Sequence, residues 1–241
     1  MESLFAILGS GLLGASREID VWGGDVANAA TPGFQALIPE TVALPNVAVG
    51  TNLQVPGGVR VTTEQSLEEG PLLPAEGGVA LPAGEYLAVT EGGQTYYTRD
   101  GAMAVDSQGR LTVAGGLLLG TNGQPIALPA GTSPEVGSDG WVYARTSGGA
   151  RLRVGQLAVV TFANPEGLQA VGGNLMSATA ASGPPVPVAQ PNLTGGFVVG
   201  SNVDLASALP LLLLAERRFQ AEAQVATVGE TMQQRLDQLV G

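Results

Sequence analysis

The chain has no cysteine and no histidine. Without cysteine there is no disulfide framework, no thiol nucleophile and no thiolate metal site. Without histidine the commonest general base, the commonest transition-metal ligand and every histidine-based triad are gone as well. A metal site would have to be built from carboxylates alone, which points to calcium or magnesium if to any ion. Lysine is also missing, so all ten basic residues are arginine. Against them stand 21 acids and a net charge of −11, a poor balance for a nucleic-acid groove. Aromatics are few at 5% and charge is sparse at 13%, yet a hydrophobic fraction of 44% is ample for a core. The apolar run Leu209–Ala215 falls far short of the ~20 residues a membrane span needs. The N-terminus carries no basic n-region, its first positive charge being Arg17, so a cleaved secretory leader is not expected.

What the chain does have is a helical pattern at each end. Phe5, Leu8, Leu12, Ala15, Ile19, Trp22 and Val26 are spaced 3-4-3-4-3-4, an unbroken a/d seam. Near the C-terminus Leu212, Ala215, Phe219, Ala223 and Ala226 form a second stripe, continued by Met232, Leu236 and Leu239. One stripe alone leaves its apolar side in water, so the two ends are expected to pair with each other or with other copies. The first segment also carries Gly9, Gly11, Gly14, Gly23 and Gly24. Each costs up to ~1 kcal/mol relative to alanine, which would defeat a lone helix of this length. The compensation is close approach of another backbone, so this helix is expected to form only when packed. The C-terminal segment, rich in Leu, Ala, Glu, Gln and Arg, could nucleate by itself. Pro210 is expected in its first turn or at a kink.

The first helix should stop at Asn28-Ala29-Ala30-Thr31-Pro32-Gly33-Phe34, where a pre-proline residue and a Pro-Gly turn end it and Phe34 offers an apolar anchor. Residues 35–62, with Pro39, Pro45, Pro56 and Gly57-Gly58, read as an extended linker. From 63 to 200 the period changes to two. Segments 85–90 and 94–99 flank Gly92-Gly93, and segments 102–105 and 110–113 flank Gln108-Gly109. Asn122-Gly123 and Asp139-Gly140 repeat the turn signal, residues 157–162 read as a buried strand, and 182–191 as a proline-rich return. The fold class is therefore α+β and mainly β: terminal helices (1–34 and 201–241) in a coiled-coil-like domain, a linker, and a central domain (63–200) of short antiparallel strands.

Candidate chemistry is thin. Asp100, Asp106 and Asp139 each stand near a glycine in turn-like sequence. Paired carboxylates ~5–9 Å apart could cleave a glycoside, but aspartate is also a preferred turn residue that bonds nearby amides. Tyr96-Tyr97 and Trp141 could stack on sugars, although cross-strand packing explains them as well. Arg217-Arg218 could hold an anion or simply lie on a solvated or inter-subunit helix face. No cofactor site is expected.

Five ordered blocks carry a resemblance. Val26 to Phe34 resembles the "ANANTPGF" signature of bacterial flagellar axial proteins, the rod, hook and hook-associated proteins. Tyr97-Thr98-Arg99-Asp100-Gly101 looks like that family's "YTRDG", followed by Gly109-Arg110-Leu111. Residues 155–168 are similar to its "vtFxNPxGL" segment, Gly200 to Leu205 to its "SNVdl" block, and Arg217 to Ala221 to its "qRaYqa". Departures fall at Gly23-Gly24-Asp25, at 74–89 and at Pro210. The length, with no large insertion, looks most like the basal-body rod branch. The resemblance implies a non-enzymatic subunit of a tubular axial polymer in the basal body, with neighbouring rod and hook subunits as partners. It also implies export through the flagellar type III apparatus, no nucleic acid and no membrane insertion.

The expected assembly interface is therefore the two seams and the corner between helix and β-domain. On the first seam it comprises Phe5, Leu8, Leu12, Ile19, Trp22 and Val26. At the corner it comprises Asn28, Thr31, Pro32, Gly33 and Phe34, and on the last helix Leu212, Phe219, Met232, Leu236 and Leu239. The other readings from residues alone are a wall-active glycoside hydrolase using Asp/Glu pairs and a β-rich sugar-binding adhesin.

Overall fold

The computed structural model describes residues 2–49 and 53–240. The chain divides into two compact units. One comprises Met1–Ala29, Ala36–Ser66 and Val203–Gly241, the other Ala30–Gln35 and Leu67–Asn202. The architecture is α+β and mainly β, with helix only at the two ends apart from one short 3-10 turn among the described residues.

The first unit holds helix α1 (Glu2–Ala27), strands β1 (Leu37–Ala43), β2 (Val47–Val49), β3 (Leu53–Val55) and β4 (Val59–Gln65), and helix α2 (Leu205–Val240). The helices run antiparallel: Glu18 meets Arg218, Gly11 lies against Glu222, and Phe5 lies against Gly229. Asp204 starts α2 as an N-cap. It accepts the Ala206 amide at 3.1 Å and the Ser207 hydroxyl at 2.6 Å, which hold its carboxyl below the ordinary range. Pro210 sits inside α2, past its first turn, and the helix continues to Val240 without a break. The missing N–H costs one i→i−4 bond, to the Ala206 carbonyl.

Residues 35–62, expected as an extended linker, contain paired strands, apart from 50–52, which lie outside the described residues. β1 pairs with β4 antiparallel from Leu37↔Gln65 to Ala43↔Val59, and β2 pairs with β3 beyond them. The prolines that suggested a linker are compatible with edge strands, where the missing N–H can face out of the ladder. Backbone bonds at the ladder ends (Ser66 to Ala36 and Leu44 to Gly58) make the even-numbered residues of β1 face β4. The Leu37 and Val59 amides and the Val61 carbonyl therefore point outward, and α1 receives all three. Asp25 accepts the Leu37 N–H at 3.1 and 3.2 Å, Ser10 Oγ accepts the Val59 N–H at 3.1 Å, and Arg17 donates to the Val61 carbonyl at 3.4 Å. Two isolated strands are marginal in water, so the helix side chains are what hold this ribbon.

The second unit is a β assembly. It contains β5 (Leu72–Ala80), β6 (Glu85–Glu91), β7 (Gln94–Thr98), β8 (Ala104–Val105), β9 (Leu111–Val113) and β10 (Gly116–Leu118). It continues with β11 (Thr132–Val136), β12 (Trp141–Thr146), β13 (Arg151–Gln156), β14 (Val159–Thr161), β15 (Gln169–Gly172), β16 (Leu175–Ser177), β17 (Val186–Pro187) and β18 (Thr194–Val199). The main sheet has the order β15-β16-β7-β6-β10-β9-β8, with β14 pairing both β6 and β17. β11-β12-β13 form a meander, and β18 pairs back with β5 across more than a hundred residues. The core is dominated by β-branched and leucine side chains such as Val79, Leu87, Leu111, Leu118, Val142 and Leu157, all at 2% exposure or less. A second cluster centres on Tyr86, Tyr97 and Phe162, whose rings meet edge to face at 5.6 and 4.9 Å.

Candidate assembly interface

Within the helical unit the seam residues are divided. Ala15, Ala208 and Ala215 are buried, at 0, 3 and 2% exposure. Phe5, Leu8, Leu12, Ile19, Trp22, Val26 and Leu212 are partly covered. The later positions of the α2 stripe are not covered: Phe219 is 39% exposed, Met232 58%, Leu236 46% and Leu239 83%. Val225 and Val228, at 53 and 59%, lie on the same side as Met232, Leu236 and Leu239 at helical spacing. α2 is 36 residues long against 26 for α1, so with Phe5 opposite Gly229 its last turns extend past its partner helix.

The glycines of α1 divide in the same way. A side chain at Gly11 would come within 2.8 Å of the Glu222 carboxylate, and one at Gly14 within 3.3 Å of Val61. These two are close approaches inside the chain. Gly9, Gly23 and Gly24 face open space, with nothing within 4 Å of an added Cβ among the described residues.

Polar anchors hold the pairing. Glu18, only 8% exposed, takes two contacts from Arg218 Nη1 at 2.9 and 2.8 Å and the Thr41 hydroxyl at 2.7 Å. One carboxylate thus ties α1 to α2 and to β1, and Arg218 proves to be a partner of Glu18. Asp25, at 1% exposure, is pushed above the ordinary carboxylate range by burial, with the Leu37 amide opposing the shift. Ser10, Arg17, Glu18 and Asp25 were not singled out from the sequence. Their heptad-like recurrence at 10, 17–18 and 25 is the signal that marks a second helix face.

The corner also has a definite geometry. Asn28 closes α1, its side-chain amide and its backbone N–H both donating to the Gly24 carbonyl at 2.9 and 3.1 Å. The Phe34 amide reaches back to the Thr31 carbonyl at 3.3 Å across Pro32-Gly33, with Gly33 at φ +69°, as a type II turn requires. Inside the β-rich unit the turn is fastened by its backbone. The Gly33 N–H donates to Val199 O at 2.7 Å, Asn174 Nδ2 to Pro32 O at 2.8 Å, and the Asn202 N–H to Phe34 O at 3.3 Å. A Cβ on Gly33 would lie 2.5 Å from the Arg99 and Asp100 backbone.

Three of the family-like blocks therefore converge at this turn: Pro32 to Phe34, Thr98 to Gly101, and Gly200 to Asn202. Arg99, 3% exposed, pairs with Glu69 at 3.2 Å. Asp100 Oδ1 accepts the Ala102 amide at 2.8 Å, and burial holds its carboxyl above the ordinary range. Gly101 passes so close to Val79 that no side chain fits there. The fourth block packs on the segment that follows it: Gly167 abuts the Ala181-Ser182 backbone, and Thr179 Oγ1 donates to Gly167 O at 2.6 Å.

The remaining acids hold turns. Asp106 accepts the Gln108 and Arg110 amides at 2.8 and 2.9 Å and pairs with the Arg110 guanidinium at 2.7 Å, which lowers its pKa. Asp139 accepts the Trp141 amide at 3.2 Å. Tyr86, fully buried in the aromatic cluster, has its phenol raised by desolvation, with the positive charge of Arg99 opposing.

Both ends of the chain meet in one helical unit with uncovered apolar side chains, and the signature segments in between are spent on turns and backbone contacts. That plan is the plan of a structural subunit. Comparison with known proteins gives the family. The description "Flagellar hook protein FlgE/F/G D1 domain" matches residues 83–144, and "Flagellar basal body rod FlgEFG protein C-terminal" matches residues 194–239. The chain is 30% identical to the flagellar basal-body rod protein FlgG of Bacillus subtilis (strain 168), over 98% of either chain. It is 30% identical to the flagellar basal-body rod protein FlgF of Escherichia coli (strain K12), over 90% of this chain and 89% of that one. The flagellar hook protein FlgE of Helicobacter pylori is 37% identical over 39% of this chain, which covers 14% of that protein. The chain belongs to the flagellar basal-body rod and hook protein family. It is a structural subunit of the flagellar basal body and not an enzyme, and its neighbours are rod and hook subunits of the axial polymer.

Proposed function

We propose that this rod subunit polymerises through its terminal helical unit, with copies of itself among its neighbours. The observation that carries this is the uncovered apolar side of α2, running through Val225, Val228, Met232, Leu236 and Leu239 at 46–83% exposure. A contiguous apolar stripe of this kind on a helix calls for a facing helix. Each Leu or Met covered on assembly would contribute ~1.5–3 kcal/mol. The open glycines Gly9, Gly23 and Gly24 support the same reading, because each lowers helix stability without a compensating contact inside the chain.

The interface proposed is the seam from Phe5 to Val26 together with Leu212, Phe219, Met232, Leu236 and Leu239. The corner from Asn28 to Phe34 serves it by fixing where helix gives way to β-structure. The chain reaches the basal body through the flagellar export apparatus. Deleting residues 1–29, which leaves the Pro32-Gly33 turn of the β-rich unit in place, is the test. Motility and incorporation into basal bodies should be lost, while the β-rich unit of the purified variant keeps its near-ultraviolet circular dichroism. Incorporation that survives the deletion would rule the reading out.

A further inference from the structure

The outer face of the β11-β12-β13 meander gathers positive charge and aromatic rings in a chain that is otherwise acidic. Trp141, Tyr143 and Arg145 alternate along β12, opposite Gln156, Arg153 and Arg151 of β13. Val142 and Ala144, between them on β12, are fully buried, so the alternating set points away from the core. The Arg153 guanidinium lies 3.3 Å from the centroid of the Trp141 ring, and that of Arg151 lies 4.6 Å from Tyr143. Glu135 of β11 meets Arg151 at 2.7 Å and Arg145 at 4.0 Å, one carboxylate for two cations. Residues 140–165 hold these three arginines and no acid, although the whole chain has a net charge of −11.

Stacking on a ring fixes the plane of a guanidinium without neutralising it. The free edges of such cations are suited to carboxylates, which they engage through paired N–H groups. The complement exists on the same chain. Residues 67–98, within the same β-rich unit, carry Glu68, Glu69, Glu76, Glu85 and Glu91 and no base. All of these except Glu85 are exposed.

We infer that the Trp141/Tyr143/Arg145–Arg151/Arg153 ladder docks on the acidic 67–98 stretch of a second copy of this chain. This contact rests on the proposal that the subunit polymerises, and adds to it a polar contact made by the β-rich unit. The helical seams would supply most of the affinity. The ladder sets which copy meets which and in what register, because complementary charge governs specificity and encounter more than affinity.

The test uses the full chain with a photoreactive benzoylphenylalanine in place of Ser133, which is exposed and pairs with Arg145 on the ladder's own face. Isotopically labelled and unlabelled copies are mixed and illuminated, and the cross-linked peptides are mapped. Cross-links from position 133 to residues 67–98 of a different copy are expected. Their yield should fall about tenfold between ~0.05 M and ~0.5 M salt. The R151Q/R153Q double variant should lose about the same yield at low salt and become insensitive to salt. R151E/R153E mixed with E68R/E76R should recover the cross-link. Cross-links confined to other regions, or a yield indifferent to salt and to both variants, would overturn the contact. The two proposals separate cleanly. Polymers without this cross-link remove the ladder contact and leave the rod reading intact, whereas the cross-link in a chain that never polymerises keeps the contact and counts against that reading.

Discussion

The two units of the molecule are built on opposite economies of burial. In the β-rich unit Tyr86, Leu87, Leu111 and Leu118 are fully inaccessible, and the core is closed. In the helical unit the buried apolar side chains are small, namely Ala15, Val61, Ala208 and Ala215, alongside the acids Glu18 and Asp25. Its large side chains are at best partly covered, and several on α2 are left in water, such as Leu213 at 61% and Leu239 at 83%. A closed core stabilises a domain by itself. A unit with alanine inside and leucine outside, held by carboxylates against backbone amides and a guanidinium, is the one that the proposed polymerisation would complete.

The sharpest way to break this contrast is truncation of one leucine in each unit. Leu118→Ala should destabilise the β-rich unit by about 2–5 kcal/mol, as cavity formation in a closed core does. Leu236→Ala should shift monomer unfolding by less than about 0.5 kcal/mol, as at other exposed sites. It should, however, raise the concentration needed for polymerisation. Denaturant titration followed separately by helical and near-ultraviolet circular dichroism reads both. Equal losses from the two substitutions would remove the distinction.

Gly33→Ala comes next. It places a methyl group 2.5 Å from the Arg99 and Asp100 backbone at φ +69°, and should cost about 1–3 kcal/mol, detected as a lower unfolding midpoint of the β-rich unit. Gly9→Ala and Gly23→Ala should act in the other direction. Each adds about 0.5–1 kcal/mol to the helical unit of the monomer, since nothing lies within 4 Å, and each should slow polymerisation measured by light scattering. Faster polymerisation of either variant would argue that close backbone approach is not what those glycines serve.

The smallest effect expected is electrostatic. Burial raises the folded pKa of Asp25 above its ordinary value of 3.8, so protonation favours the folded helical unit. Its contribution is present in full below the unfolded pKa and is lost as pH rises through the higher folded one. Asp25→Asn, which can still accept the Leu37 amide, should flatten the stability profile of the helical unit across that acid window. Thermal melts at a series of acid pH values would show the slope disappear, and an unchanged slope would assign it to other carboxylates.

Much of this was legible beforehand. The 3-4 spacing places α1 and α2, and Gly92-Gly93 and the Asp106–Arg110 turn place two hairpins, because these are signals carried by neighbours a few residues apart. The Pro32-Gly33 turn was legible too, yet its role was not. Its backbone bonds to Val199, Asn174 and Asn202 depend on residues more than 140 positions away. The β1–β4 ribbon was missed for a related reason. Pro39, Pro45 and Pro56 obscure its alternation, and what stabilises it is a set of helix side chains at Ser10, Arg17, Glu18 and Asp25. Likewise β5 and β18 pair across a separation that no local pattern reports.

By itself the sequence determined that this chain has helical ends, a strand-rich middle, no histidine or cysteine chemistry and an apolar stripe on each terminal segment. Those follow from residue type and period alone. Only the tertiary structure decided which part of the first seam is used inside the chain, which glycines are close approaches, and that Arg218 and Asp25 are internal anchors. Each of those depends on which distant groups come within a few ångströms, and the free energy of a buried charge or an added methyl group is set by those neighbours.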